Sequence, residues 1–222
     1  MKVSIIIPTF KDSYFIKNFS LRSVLSQTYS NFEVIIGSDG ENNELQLLIE
    51  SLGDSRIRYL EFDKSTFKDD VEKWCVGGAY PRNRCLDLIT GNLVAPLDHD
   101  DIWGPSYLED RVNFFKSNSD IEFTYSKANF IKDCKLLTTL GKPKGEQIPH
   151  LSVVYLSKYN NLKYKETGKT AADYLLWKDF KDIGIKMTFI DSVTCIYNGK
   201  NNSLSAIENL YLKTFGTVFK VI

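Results

Sequence analysis

The chain has 222 residues, 43% of them hydrophobic and 25% charged, an ordinary globular composition with length enough for one substantial core. Lys plus Arg equals Asp plus Glu at 28 each, which removes the electrostatic case for nucleic acid or an anionic membrane as the main partner, so any bound anion must be held locally. No uninterrupted apolar run reaches the ~20 residues of a spanning helix, and Pro8 ends the N-terminal run MKVSIIIPTF well short of a signal segment.

The expectation is therefore a cytoplasmic chain with no transmembrane segment, at most peripheral to a membrane. Cys75, Cys85, Cys134 and Cys195 are scattered without CxxC or zinc spacing, and they read as reduced thiols, most of them buried.

Val3 to Ile7 is apolar on both faces, as in a strand covered on both sides of a parallel sheet. Asp12 and Ser13 are placed to cap a helix carrying Ile16, Phe19, Leu21, Val24 and Leu25. Phe32 to Ile36 reads as the second strand, closed by the turn Ser38-Asp39-Gly40. Leu45, Leu48, Ile49 and Leu52 then give a helical stripe, and Ile57 to Phe62 a third strand. After a polar stretch, GGAYPRNRCLDLITGN predicts a helix with Pro81 in its first turn and Gly91 as its stop. A fourth strand, Leu93 to Leu97, follows at once.

This alternation specifies an α/β fold with a mostly parallel, doubly covered sheet. Such sheets bind ligands at the carboxyl ends of their strands. Pro8, Asp39 and Asp98 all lie just past such ends. The second half is less regular. Pro105 opens a helix, Ile121 to Ile131 suggests one or two antiparallel strands, Asp173 starts a helix, Met187 to Tyr197 is a late strand, and Leu204 to Ile222 suits an amphipathic helix packing back or the first part of something longer.

The stretch VAPLDHDDIW places Asp98, Asp100 and Asp101 at the end of a buried strand. Three carboxylates this close repel one another unless they are solvated or share a cation, and Mg²⁺ or Mn²⁺ suits oxygen ligands that substrate phosphates and water complete. A helix cap with solvated charge is the plainer reading. His99 is expected to point to the opposite face from its neighbours, because side chains alternate along a strand. Elsewhere, Asp39 can read a base or ribose, Arg82 can fork to a diphosphate, and Phe10 can stack on a flat base. An ordinary turn, a surface ion pair and a core ring are the respective alternatives.

IIPTF, SDG, PRNRCLDLITGNLVAPLDHDDIW and AADYLLWKDF, in this order, resemble the motif series of the GT-A fold, family 2 inverting nucleotide-sugar glycosyltransferases, over roughly residues 1 to 200. The P-loop and GxGxxG patterns of other nucleotide folds are absent from the sequence. The resemblance implies a Rossmann-like sheet with a smaller mixed subregion. Within one domain, residues 1–103 would form the donor half, and residues 104–222 the half carrying the acceptor site and the base.

It also implies a nucleotide-sugar donor, with a UDP-sugar favoured, a glycan or glycoconjugate acceptor, and a divalent metal. Pro8, Thr9 and Phe10 would line the base pocket, Asp39 would bond the base, and Arg82 would lie near the diphosphate. Asp98 would meet ribose or metal-bound water, Asp100 would hold the metal, and Asp101 would share that task. Asp173 matches the general base, with Ala172 where the family has Glu. Lys200 stands in the late loop where His is common and would act as a counter-charge. Trp103 packs on sugar or acceptor, or else anchors its loop. A metal-dependent nucleotidyl- or phosphotransferase, or a non-catalytic module of the same fold, are the competing readings, and the chain fits either a whole enzyme or part of a larger multi-domain transferase.

Overall fold

The computed structural model describes residues 1–219. Four parallel strands, β1 (Val3–Thr9), β2 (Phe32–Asp39), β3 (Ile57–Phe62) and β4 (Leu93–Pro96), lie in the order β3-β2-β1-β4. Every residue of β1 and β2 is buried, which is why their sequences run apolar instead of alternating. Val3, Ile5 and Ile7 pack in one apolar layer and Ile6 in the other, with Val94, Leu86 and Cys85. The crossovers are α1 (Ser13–Phe15) continued by a π-helical turn and α2 (Leu21–Leu25), then α3 (Asn43–Leu52), then α4 (Asp70–Val76) with α5 (Ala79–Leu86).

Beyond β4 the sheet is mixed. Its remaining elements are β5 (Ile102–Trp103), α6 (Tyr107–Ser117), β6 (Phe123–Lys132), β7 (Lys135–Leu140), β8 (Val154–Leu156), α7 (Ala172–Asp182), β9 (Met187–Asn198) and α8 (Leu204–Phe215). β8 runs antiparallel to both β4 and β6, β9 lies parallel to β6 and antiparallel to β5, and β7 hangs from β6 as the outer arm of a hairpin. The stretch expected to be purely antiparallel thus has one parallel neighbour. α8 packs back as expected, with Ile207, Leu210 and Tyr211 against Phe19 and Ile196. Arg22 clasps Glu208 at 2.8 Å. Residues 220–222, the end of that expected helix, lie outside the described residues.

Three local expectations fail for identifiable reasons. Asp12 occupies the N-cap position but makes no capping bond; its carboxylate faces His99 at 3.4 Å, and Ser13 Oγ donates to Asn42 Oδ1 at 3.1 Å. α4 arises inside the stretch read as polar, because Asp69 accepts the Glu72 amide while Glu72 accepts that of Lys68. Gly91 is no helix stop, since α5 ends at Leu86. A Cβ there would sit 2.7 Å from Ser4 Oγ and 2.8 Å from the Lys2 carbonyl, so its smallness lets the chain cross β1 closely.

That crossing is fastened by Glu33, whose carboxylate accepts from Ser4 Oγ at 2.6 Å, Lys2 Nζ at 2.9 Å, and the Thr90 amide at 2.6 Å. Burial opposes its charge, but these bonds outweigh burial and hold its pKa at about 2. A depressed folded-state pKa contributes stability above the unfolded value, and this is lost as pH falls toward about 2. Glu33→Gln is therefore expected to cost about 2 kcal/mol at pH 7 and progressively less between pH ~5 and ~2, read from urea unfolding across that range. Equal loss at all pH values would show that the carboxylate's charge contributes nothing.

Candidate active site

An open cleft of about 520 Å³ lies across the carboxyl ends of β1, β2 and β4, lined among others by Pro8, Thr9, Phe10, Asp39, Arg82, Asp98 and Asp100. Parallel strands ending together bring these residues, far apart in sequence, to one rim. Thr9 Oγ1 is buried with no partner, as is Arg82 Nε. Asp39 accepts the Ser65 amide at 2.6 Å, which fixes the carboxylate on the cleft floor. Lys64 and Lys11 stand over the Phe10 ring at 5.3 and 5.7 Å from its centroid. Ser38, where the resembling family carries an Asp, turns its hydroxyl to the Gly40 carbonyl instead.

Arg82 rises from the first turns of α5 and forms an ion pair with Asp98. The other carboxylate oxygen of Asp98 faces His150 Nδ1 at 3.6 Å, while His150 Nε2 lies 2.9 Å from Tyr164 Oη. Burial drives the Tyr164 phenol well above its ordinary range, so it stays a donor. With Tyr164 donating to Nε2, the Nδ1 hydrogen lies on the Asp98 side, where Nδ1 is buried without a hydrogen-bond partner. Asn83 fastens Tyr164, donating to its carbonyl and accepting its amide at 2.9 Å each. Burial works against the charge on Asp98, but Arg82 and His150 outweigh it and hold the carboxyl well below the usual range.

Residues 98 to 101 form a turn, not an extension of β4, which ends at Pro96. Strand alternation therefore does not apply, and His99 lines the same cleft as Asp98 and Asp100, between Asp12 at 3.4 Å and Asp100 at 4.0 Å. Asp100 faces the cleft; burial, together with the charge of Asp98, raises its pKa against the pull of His99. Asp101 points away. It is 1% exposed, accepts the Asn198 amide at 2.9 Å through Oδ1, and encloses Oδ2 without a partner. Burial and the charges of Asp100 and Asp98 push its carboxyl well above the ordinary range.

Among the described residues no three His, Cys, Asp or Glu side chains converge as a cage for a metal ion. What the donor set fits is a cation resting on Asp100 and completing its shell from phosphate oxygens and water. Asp101 does not fit that task in this position.

Asp173 sits in the first turn of α7, half-buried, its Oδ1 accepting the Tyr174 amide at 2.8 Å. It is not among the residues lining the cleft, although its charge acts on two that are, Arg82 and Tyr197, and on Tyr164. Ala172 is buried in the apolar layer around Trp177. Lys200 is exposed in the turn after β9, its carbonyl accepting the Asp133 amide, and it is not part of the cleft lining. Trp103 corrects the expectation of a sugar platform. It is 0% exposed, donates to the Leu151 carbonyl at 2.6 Å and stacks on Tyr107, so it anchors the turn.

Residues 4–125 match the model of glycosyl transferase family 2, more than half of the chain. The chain belongs to glycosyl transferase family 2. Over 219 residues it is 28% identical to the Escherichia coli UDP-Glc:alpha-D-GlcNAc-diphosphoundecaprenol beta-1,3-glucosyltransferase WfaP, covering 92% of this chain and 80% of WfaP. A second E. coli enzyme with the same described activity, WfgD, is 31% identical over 64% of this chain and 51% of its own length. The fold is the GT-A type. S. aureus TarS 1-349, crystallised with UDP-GlcNAc, superposes with a TM-score of 0.73 at 18% identity, over 92% of this chain and 61% of TarS 1-349. The Pyrobaculum calidifontis mannosyltransferase PcManGT, solved with GDP-Man and Mn²⁺, superposes with a TM-score of 0.66 at 12% identity, over 96% of this chain and 61% of that one.

The family 2 site contains residues that the sequence does not announce. His150 lies after a Pro/Gly/Lys-rich loop where no periodicity places it, and only Pro149 in the tripeptide IPH hints at an ordered turn. Trp74, 82% exposed, stands on the rim from the short α4, and Tyr197 closes the cleft from the end of β9. α4 is tied to the approach to α7, because Glu72 accepts the Gly168 amide at 3.0 Å and Asp69 pairs with Lys169 at 2.7 Å. Among the described residues no helix of the transferase is long and apolar enough to cross a membrane.

Proposed function

We propose that this glycosyltransferase moves a sugar from a nucleoside-diphosphate sugar, UDP-linked, to a hydroxyl of a glycan carried on a lipid diphosphate, with inversion. The observation that carries the reading is the pair of buried, unpartnered donors, Thr9 Oγ1 and Arg82 Nε, on a cleft that also offers the Phe10 ring and the Asp39 carboxylate. Buried donors without partners call for an acceptor-rich ligand. The UDP-Glc donor and diphosphoundecaprenol acceptor named for WfaP and WfgD support this choice of donor and acceptor class.

Residues 1–103 supply the donor contacts. Phe10 and Asp39 hold the base, and Arg82 turns part of its guanidinium from Asp98 to the diphosphate while His150 keeps Asp98 in place. Asp98 then faces the ribose. A divalent cation, Mn²⁺ or Mg²⁺, held on Asp100 would offset charge on the departing nucleoside diphosphate. From residues 104–222, Asp173 accepts the proton of the attacking hydroxyl at its carboxylate oxygen. One base and one direct displacement invert the anomeric centre.

A panel of nucleoside diphosphates, with and without Mn²⁺, tests the reading by thermal shift. UDP near 100-fold above its Kd is expected to raise Tm by about 5–10 °C, with a smaller rise in the absence of the ion. No shift with any nucleotide would leave a non-catalytic module. Release of free phosphate or pyrophosphate, instead of nucleoside diphosphate, would move the protein to nucleotidyl- or phosphoryl transfer.

A further inference from the structure

The β6–β7 hairpin stands at the same end of the sheet as the cleft. Ile131, near its tip, pairs with Asn198, whose amide binds Asp101 in the acidic turn. The tip is a tight turn with Asp133 and Cys134 both left-handed, at φ of 50° and 59°. It is braced from the late loop: Asn202 accepts the Cys134 amide at 2.8 Å, and Asn201 donates to Asp133 at 2.8 Å. A brace of this kind holds an exposed hairpin in one orientation.

Its composition departs from that of the chain. Against an overall balance of 28 to 28, residues 127–146 hold five lysines and two acids, Asp133 and Glu146. Lys127 is paired with Asp191. Lys132, Lys135, Lys142 and Lys144 are exposed and form no ion pair among the described residues, and the exposed Lys200 adjoins the tip. Between these cations, Leu136 and Leu137 are 47% and 54% exposed. Adjacent strand residues point to opposite faces, so β7 is uncovered on both.

Lysines alone would be accounted for as guards of an open sheet edge. Edge protection gives no reason to leave two leucines in water on the same strand. Cations flanking exposed leucines match an anionic bilayer, where the charges meet headgroups and the leucines enter the acyl boundary. We infer that β7 and its flanking lysines dock the enzyme on an anionic membrane surface, with the cleft rim turned toward that surface. This deepens the lipid-linked acceptor reading above and rests on it for its purpose.

The test is co-sedimentation of the full chain with phosphatidylglycerol-rich vesicles and with pure phosphatidylcholine vesicles, without donor or acceptor. Binding is expected to the anionic vesicles and to weaken as salt rises. Lys132→Gln with Lys135→Gln should lower partitioning about 30-fold, at about fivefold per lysine. Leu136→Ser with Leu137→Ser should lower it while keeping the salt dependence. Both double variants should keep the wild-type melting point and transfer to a water-soluble acceptor. Equal binding to the two vesicle types, no binding, or binding unmoved by either variant overturns the inference. Salt-dependent vesicle binding without transfer from any nucleotide sugar would instead strike at the enzymatic reading and leave the docking surface standing.

Discussion

Asp173→Asn is expected to lower turnover ~10²–10⁴-fold while leaving the nucleotide-induced thermal shift unchanged. The substitution keeps size and keeps an oxygen for the Tyr174 amide, now met at 2.8 Å, so the first turn of α7 survives. What it removes is a proton acceptor, plus a charge at a helix N-terminus that contributes about 0.3–1 kcal/mol. Initial rates at saturating donor, with Tm measured on the same samples, separate the two effects. Full turnover by the variant would mean that the base lies elsewhere. A lost nucleotide shift would mean that Asp173 holds donor instead of activating acceptor.

The second large effect concerns the largely buried Arg82–Asp98 pair, beside the position proposed for the diphosphate. Arg82→Met leaves Asp98 with His150 alone, and an uncompensated buried charge costs about 3 kcal/mol. Arg82 and Asp98 side chains are 11% and 25% exposed, so solvent softens that cost only in part. The variant should also lose the UDP-dependent shift. Adding Asp98→Leu removes the stranded charge and is expected to restore most of the stability but none of the nucleotide binding. Urea unfolding and thermal shift on the two variants and the double form the cycle. A double variant no more stable than Arg82→Met would show that the pair is not coupled as the geometry requires.

The first four strands are readable because their physics is local. Val3 to Ile7 and Phe32 to Ile36 are apolar on both faces, and that pattern has few homes besides the centre of a parallel sheet. The rule that ligands meet strand ends then located Pro8, Asp39 and Asp98 in one cleft. The detail of the acidic turn is less legible. Alternation holds only along a strand, and β4 stops at Pro96, so it does not govern His99; the same turn delivers the Asp101 carboxylate to the Asn198 amide, away from the cleft. His150 and Tyr164 were invisible for another reason. Their places come from contacts across 14 and 81 residues of sequence, to each other and to Asn83, and no window of periodicity spans such distances. Trp103 shows the converse case, since a large aromatic after a charged cluster suits a ligand or a core equally well until its surroundings are known.

The place of β9 governs the order in which the molecule can be built. It lies between β6 and β5, and its last residue, Asn198, is the one that binds Asp101. Strands β1 to β4 need only the first 96 residues, so they can pair early as the chain leaves the ribosome. Asp101, although made only a few residues later, lacks its amide partner until synthesis has advanced about another hundred residues. Contacts of such separation form late because the intervening loop must first be closed. A nascent chain thus carries β1 to β4 already paired while Asp101 still lacks its amide, and β9 fixes that end of the turn.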